Sequence, residues 1–126
     1  MFSHVMVGAN DVAASTKFYD AILGALGAKP GTSDGNGRVV YAHNGGLFMI
    51  TAPINGEPAC HANGGTIGFA AASPAEADAW HAAGVANGGT TCENPPGIRE
   101  GGFGKLYLAY LRDPAGNKLC AAHRMA

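Results

Sequence analysis

The side chains best suited to chemistry in this sequence are one histidine, one tyrosine and one cysteine. His4, Tyr110 and Cys120 lie in apolar segments that predict β-strands. An imidazole that faces a thiol can take its proton and make it nucleophilic, and a phenol can act as a general acid or base. The sequence therefore gives Cys120 and Tyr110 as candidate catalytic residues, provided that the fold brings their strands together.

Two similar runs of elements would position these strands. Each run starts with an apolar strand, continues with an amphipathic helix and ends with a β-hairpin, and Phe18 and Gly27 of the first fall on Trp80 and Gly89 of the second. The prediction is an α+β fold in a single domain, 1–126, with two tandem βαβββ modules, 1–52 and 65–126, and a Pro/Gly/Asn-rich linker, 53–64. Residues 94–104 are expected to form a loop before the closing hairpin, Leu106–His123.

Side by side, two such modules would form a curved, eight-stranded mixed sheet with both helices on its convex face. The concave face of this cup is the expected ligand site, because it is the large hollow that the arrangement offers. Strand alternation places His4 and Met6 on the concave face and turns Val5 and Val7 towards the helix. The matching residue of His4 in the second module is Thr66.

The composition of the chain limits the kinds of molecule that it is expected to bind. Net charge is −1 and the basic residues are scattered, so neither nucleic acid nor an anionic membrane is an expected partner, and small molecules are. Charged residues make up only 13% of the chain, which favours an oligomer that hides part of its surface. The sequence shows no signal peptide or bilayer-spanning run, and its three cysteines form no paired framework. We therefore expect a cytosolic protein with reduced thiols.

Two segments carry a resemblance to a known family. HVMVGANDVAASTKFYDAILGALG near the start joins a strand to a helix, and AYLRDPAGNKL near the end contains a DPxGN hairpin turn. PPGIR, at 95–99, is similar to a loop of glyoxalase-like proteins. Together they resemble the vicinal oxygen chelate superfamily, which includes glyoxalase I, bleomycin and fosfomycin resistance proteins and extradiol dioxygenases. The resemblance covers nearly the whole chain and implies the two-module cup and a homodimer.

The resemblance also implies four positions for a divalent metal, one on the first and one on the last strand of each module. Here these positions hold His4, Met49, Thr66 and Cys120. Sites for Zn²⁺, Ni²⁺, Mn²⁺ or Fe²⁺ need about three ligands, usually histidine and carboxylate, so we expect no bound metal. The alternative is a softer site that uses His4, a deprotonated Cys120 and His61 from the linker.

The closing hairpin adds further residues to the expected ligand site. Tyr110 stands where fosfomycin-resistance relatives carry a ligand-contacting tyrosine, and Leu108 should share its face. Counted across the shorter first turn, the equivalents of this pair are Tyr41 and Val39. The residues expected to bind the ligand are His4, Met6, Tyr41, Met49, Thr66, Leu108, Tyr110 and Arg99, the last as a contact for an anionic group.

Three hypotheses about function follow. The first is a metal-free binding protein that holds a small apolar or aromatic molecule in the cup, as drug-sequestering relatives do. The second is a glyoxalase-like lyase or isomerase, or a dioxygenase, with an atypical metal site. The third is a metal-free enzyme that uses Cys120 or Tyr110 for covalent or acid–base chemistry.

Overall fold

The structure is a computed structural model that describes residues 1–125. Within these residues the elements follow in the order β1 (Val5–Gly8), α1 (Val12–Ala25), β2 (Thr32–Ser33), β3 (Arg38–His43), β4 (Gly46–Thr51), β5 (Ile67–Ala70), α2 (Pro74–Ala86), β6 (Thr90–Thr91), β7 (Gly97–Gly101), β8 (Gly104–Arg112) and β9 (Lys118–Arg124). Neither helix in this part of the chain has the length and apolar character needed to cross a membrane.

Local capping chemistry sets where the helices begin. The carboxylate of Asp11 accepts a 3.0 Å hydrogen bond from the Ala14 amide and caps α1. Ser73 caps α2 in the same way by accepting from the Glu76 amide at 3.1 Å, and Pro74 occupies the first turn. Both starts agree with the sequence pattern, because a short oxygen side chain satisfies amides that the helix itself leaves unpaired.

The strands form two mixed sheets. Sheet 1 has the order β1-β4-β3-β2, and sheet 2 has the order β5-β9-β8-β6 with β7 also paired to β8. In each sheet the first strand of the module runs parallel to the last, while the hairpin strands are antiparallel. The α+β class and the two-module order are thus confirmed. The strands nevertheless divide between two hydrogen-bonded sheets, with β1 and β5 as edge strands.

One contiguous core lies between the two helices and one face of each sheet. Phe18 and Ile22 of α1 and Trp80 of α2 are completely buried in it. The two helices and β8 approach closely at Gly84, where an added Cβ would lie 3.1 Å from the Ile22 side chain of α1 and 2.2 Å from the Leu111 side chain of β8. We call the side of each sheet that meets this core the helix face and the opposite side the open face.

The expectation of a loop over residues 94–104 is wrong. Gly97–Gly101 forms β7, which pairs with β8 across a short turn at the exposed Phe103. Glycine and proline are depleted in strands, so the composition of this segment indicated a loop. The pairing arises because β8 is nine residues long and extends beyond β6, leaving a strand edge for β7 to cover.

Candidate functional site

The open face of sheet 1 is apolar at its centre. Met6 of β1 and Met49 of β4 are directly opposite each other, and Val40 of β3 is the next residue across the sheet. Met6 is 44% exposed and Met49 is half-buried, so both thioether side chains can contact a ligand. Flexible, polarizable methionines suit a surface that adapts to apolar molecules of different shape.

The open face of sheet 2 carries the equivalent row. Gly68 of β5 lies opposite Cys120 of β9, which in turn lies opposite Tyr110 of β8. Leu108 is on the same face two residues before Tyr110, and both are half-buried. An added Cβ at Gly68 would meet no atom within 4 Å, so the open face is unobstructed at Gly68, next to Cys120.

Three charged residues that were not predicted from the sequence, Glu93, Arg112 and Lys118, lie close to Tyr110 and Cys120. The Lys118 ammonium lies 5.1 Å from the centre of the Tyr110 ring and forms an ion pair with Glu93. Arg112 of β8 lies directly opposite Lys118 of β9, and its guanidinium donates a 2.8 Å hydrogen bond to the Gly116 carbonyl. Strand alternation in the sequence is enough to place Lys118 on the same face as Cys120. It does not predict the ion pair with Glu93, which lies in a distant part of the sequence.

The predicted position of Tyr41 on the open face is wrong. Tyr41 and Val39 face the helices, and Tyr41 is 2% exposed with its hydroxyl donating a 2.8 Å hydrogen bond to Asp20 of α1. The register shows Val40 in the position that Tyr110 occupies in the second module. The equivalence of Tyr41 with Tyr110 is therefore wrong by one residue, and a one-residue slip along a strand reverses the face of every side chain.

The other predicted contacts lie at the margins of the open faces. His4 is exposed just before β1, with Nδ1 2.8 Å from the Ser3 hydroxyl, and Thr66 is exposed just before β5. Arg99 lies on β7 opposite Leu106, and its guanidinium donates to the carbonyls of Asn94 and Pro95. These two bonds hold Arg99 against its own loop, so an anionic group would have to compete with backbone acceptors for it.

Burial weakens Cys120 as a nucleophile. Loss of solvation raises the pKa of the Cys120 thiol above its ordinary value, so the neutral thiol dominates near neutral pH. Burial likewise raises the pKa of Tyr110, with the neighbouring Cys120 and Glu93 acting in the same direction. The histidine–cysteine pair that would activate the thiol does not form, because the His4 ring is exposed and bonded to Ser3 while Cys120 is buried.

The donor set does not fit the divalent metal that many relatives use. His4, Met49, Thr66 and Cys120 offer one imidazole, a thioether, a hydroxyl and a thiol that burial keeps protonated. Met49 and Cys120 also belong to different sheets. Among residues 1–125, no group of three or more His, Cys, Asp or Glu side chains lies close enough together to hold a metal ion.

A cavity of about 390 Å³ lies between the edge strands of the two sheets, and Gly68 of the Cys120 row also borders it. Val5 of β1, Ile67 of β5 and Leu26 of α1 line it on the helix side, and His4 and the exposed Phe2 also contribute. Tyr41 borders this cavity, whereas Met49, Leu108, Tyr110 and Cys120 do not. The structure therefore brings Leu108, Tyr110 and Cys120 together on the open face of sheet 2 and leaves His4 and Tyr41 elsewhere.

Both the sequence and the fold of this chain are similar to those of known proteins. The family model described as the glyoxalase/bleomycin resistance protein/dioxygenase superfamily matches residues 1–121. The crystal structure of a glyoxalase/bleomycin resistance protein from Albidiferax ferrireducens T118 is 65% identical, with a TM-score of 0.96, and the match covers 98% of this chain and 99% of that one. No curated protein matches the chain.

Two more distant structures share the fold alone. A glyoxalase/bleomycin resistance protein/dioxygenase family enzyme from Burkholderia phytofirmans PsJN is 16% identical at a TM-score of 0.74, covering 98% of each chain. A lactoylglutathione lyase from Agrobacterium tumefaciens is 20% identical at a TM-score of 0.67, covering 98% of this chain and 92% of that one. Similarity at this level does not transfer an activity.

Proposed function

Because the chain belongs to the glyoxalase/bleomycin resistance protein/dioxygenase superfamily, we propose that it binds a small apolar or aromatic molecule on the open faces of its sheets without a metal ion. The observation that carries this proposal is the row Gly68, Cys120 and Tyr110. An aromatic ring, a buried neutral thiol and an open space lie together there, with Leu108 alongside. A planar ligand can stack on the phenol ring and bury its remaining surface against Leu108.

The enzymatic alternatives have less support from these side chains. A glyoxalase-type lyase or isomerase needs a base to move a proton, and metal-dependent members take it from a carboxylate ligand. The corresponding positions hold Met49 and Cys120, whose side chains are a thioether and a protonated thiol. Covalent catalysis by Cys120 would require a lowered pKa, and burial moves it the opposite way. The raised pKa of Tyr110 keeps its phenol protonated near neutral pH, so Tyr110 is poorly suited to act as a base.

We assign a second copy of the chain as the protein partner. Met1 and Phe2 are exposed apolar residues beside the cavity, and Phe2 is 79% exposed. The strands next to them, β1 and β5, each form an edge of their sheet, and an unpaired strand edge can pair with another chain. A two-fold contact there would cover both features and place the open faces of two protomers beside each other.

The three free cysteines favour a reducing compartment, so the cytosol is the proposed location.

Calorimetric titration with small aromatic compounds in excess chelator tests the binding function. We expect saturable binding with the wild-type protein and a loss of about two- to tenfold in affinity for Tyr110→Leu, because the variant lacks the aromatic ring. The matched control is Tyr107→Leu, on the helix face of the same strand. Equal losses in the two variants, or binding that disappears with chelator, would contradict the proposal.

Light scattering tests whether two copies of the chain form a dimer through the proposed interface. The wild-type protein should have twice the mass of one chain, and Phe2→Asp should shift the population to monomer. Phe103→Asp is the control, since Phe103 is as exposed as Phe2 but lies on the hairpin of β7 and β8. A wild-type monomer, or a dimer that Phe103→Asp dissociates and Phe2→Asp does not, would overturn this interface.

A further inference from the structure

The open face of sheet 2 has an unbalanced positive charge beside its aromatic ring. Lys118 and Arg112 lie directly opposite each other on β9 and β8. Like charges in directly opposed positions destabilise a sheet, so this arrangement costs stability unless an anion lies between the two cations. Glu93 is paired with Lys118, and within residues 1–125 no carboxylate lies within 4.0 Å of Arg112.

The two cations are held in place by different contacts. Arg112 donates its hydrogen bond to the Gly116 carbonyl inside the hairpin turn, which fixes its direction. Lys118 lies over the Tyr110 ring, and its side chain is 24% exposed while that of Glu93 is 45% exposed. The carboxylate is therefore the more accessible member of the ion pair and the one that an incoming anion can replace.

Glu93 lies in a loop segment with an unusual backbone. Its φ of 58° is in the left-handed region, which residues other than glycine rarely occupy. Such conformations persist where the surrounding structure enforces them, and they concentrate at functional sites. The hydrogen bond to Glu93 is the largest influence that raises the pKa of Lys118, which keeps the ammonium charged.

We propose that Lys118 recognises an anionic group of the ligand, so that the protein binds aromatic carboxylates in preference to neutral aromatic molecules. The ring of the ligand packs against Tyr110 on the side that Lys118 leaves uncovered, and its carboxylate takes the place of Glu93 at the Lys118 ammonium, with Arg112 adding to the positive field. This inference rests on the proposed function. It transfers to Lys118 the anion contact expected of Arg99, whose guanidinium is bonded to two backbone carbonyls.

The test compares matched ligands by calorimetry at low ionic strength with chelator present. The probes are 2-naphthoate and 2-naphthylmethanol, with benzoate and benzyl alcohol as a smaller pair. We expect the wild-type protein to bind each acid at least about tenfold more tightly than its alcohol, a typical effect of one charge-assisted hydrogen bond. Added salt should narrow the difference, because a partly exposed charge pair is screened.

Three variants assign the preference to its residues. Lys118→Met should abolish the preference for the acid, so that the acid and its alcohol bind with affinities within about twofold of each other. Glu93→Gln should tighten binding of the acid alone, because it frees the ammonium. Lys105→Met is the control, since Lys105 pairs with Glu100 on the exposed hairpin and should not alter the preference. Circular dichroism checks that each variant is folded.

The outcomes separate the two proposals. Equal binding of acid and alcohol by the wild-type protein, or a preference that survives in Lys118→Met, overturns the role of Lys118 and leaves the binding function standing. Failure of all four probes to bind contradicts the proposed function itself. Loss of acid binding in Lys105→Met to the same degree as in Lys118→Met would show a general charge effect and also overturn the inference.

Discussion

The Tyr19 hydroxyl donates a 2.6 Å hydrogen bond to Oδ2 of Asp113, which joins the first helix to the turn of the last hairpin. Both residues are buried. The same carboxylate accepts from the Asn117 side-chain amide at 2.8 Å, and that amide also donates to the Gly8 carbonyl of β1. The DPAGN turn of the second module is therefore bonded to both the first helix and the first strand of the first module.

Removal of this hydroxyl should destabilise the whole fold. Tyr19→Phe leaves a buried carboxylate oxygen with one partner fewer, and we expect the free energy of unfolding to fall by about 1.5–3 kcal/mol. Urea denaturation measures the change. Tyr107→Phe is a matched control because Tyr107 makes the same kind of bond to Asp78 at the surface, where about 0.5 kcal/mol or less is expected. Equal losses in both variants would contradict a dominant role for the buried pair.

Alkaline pH should destabilise the protein through the same residue. Burial, and then the charge of Asp113, raise the pKa of Tyr19 well above its ordinary value. An unfolded tyrosine ionises near pH 10, whereas the folded one stays protonated, so this contribution is complete below about pH 10 and declines as pH rises further. Chemical denaturation from pH 8 to 11 should show a shallower decline for Tyr19→Phe than for the wild-type protein. An identical slope would be inconsistent with this assignment.

Thiol reactivity should follow exposure rather than position on the open face. Cys60 is exposed and Cys92 is partly exposed, whereas Cys120 is buried with a raised pKa. Iodoacetamide near neutral pH, followed by peptide mass spectrometry, should therefore modify Cys60 first and Cys120 last. Preferential modification of Cys120 would instead revive covalent chemistry at that residue. A Cys60→Ser variant removes the fastest competing thiol from the measurement.

Local sequence chemistry was sufficient to predict the modules. Asp11 and Ser73 begin the helices because their side chains cap free amides, and the DPAGN segment contains turn residues that fix the closing hairpin. Phe18 and Trp80, which the sequence places at equivalent positions of the two modules, are both completely buried in the core. These features depend on neighbours a few residues apart or on hydrophobic periodicity, which a sequence shows directly.

The ligand site could not be predicted in full, because it depends on contacts between residues that are distant in sequence. The face of Tyr41 follows from the register between hairpins with turns of different length, and an error of one residue reverses it. Lys118 is paired with Glu93, which is 25 residues away in sequence, so this contact cannot be read from alternation. The strand at Gly97–Gly101 forms because β8 offers it an edge, although its own composition indicates a loop. Each of these features depends on tertiary contacts that composition and alternation do not specify.

The measurement that tests the central claim most directly is the metal content of tag-free protein that binds an aromatic ligand. The protein is dialysed with excess Zn²⁺, Ni²⁺, Mn²⁺ or Fe²⁺, freed of loose ions, analysed for metal and then titrated with the ligand with and without chelator. We predict metal far below one ion per chain and the same ligand affinity under every condition, because the donor set of His4, Met49, Thr66 and Cys120 does not suit these ions. One tightly held ion per chain, with ligand binding that is lost on chelation, would contradict the account.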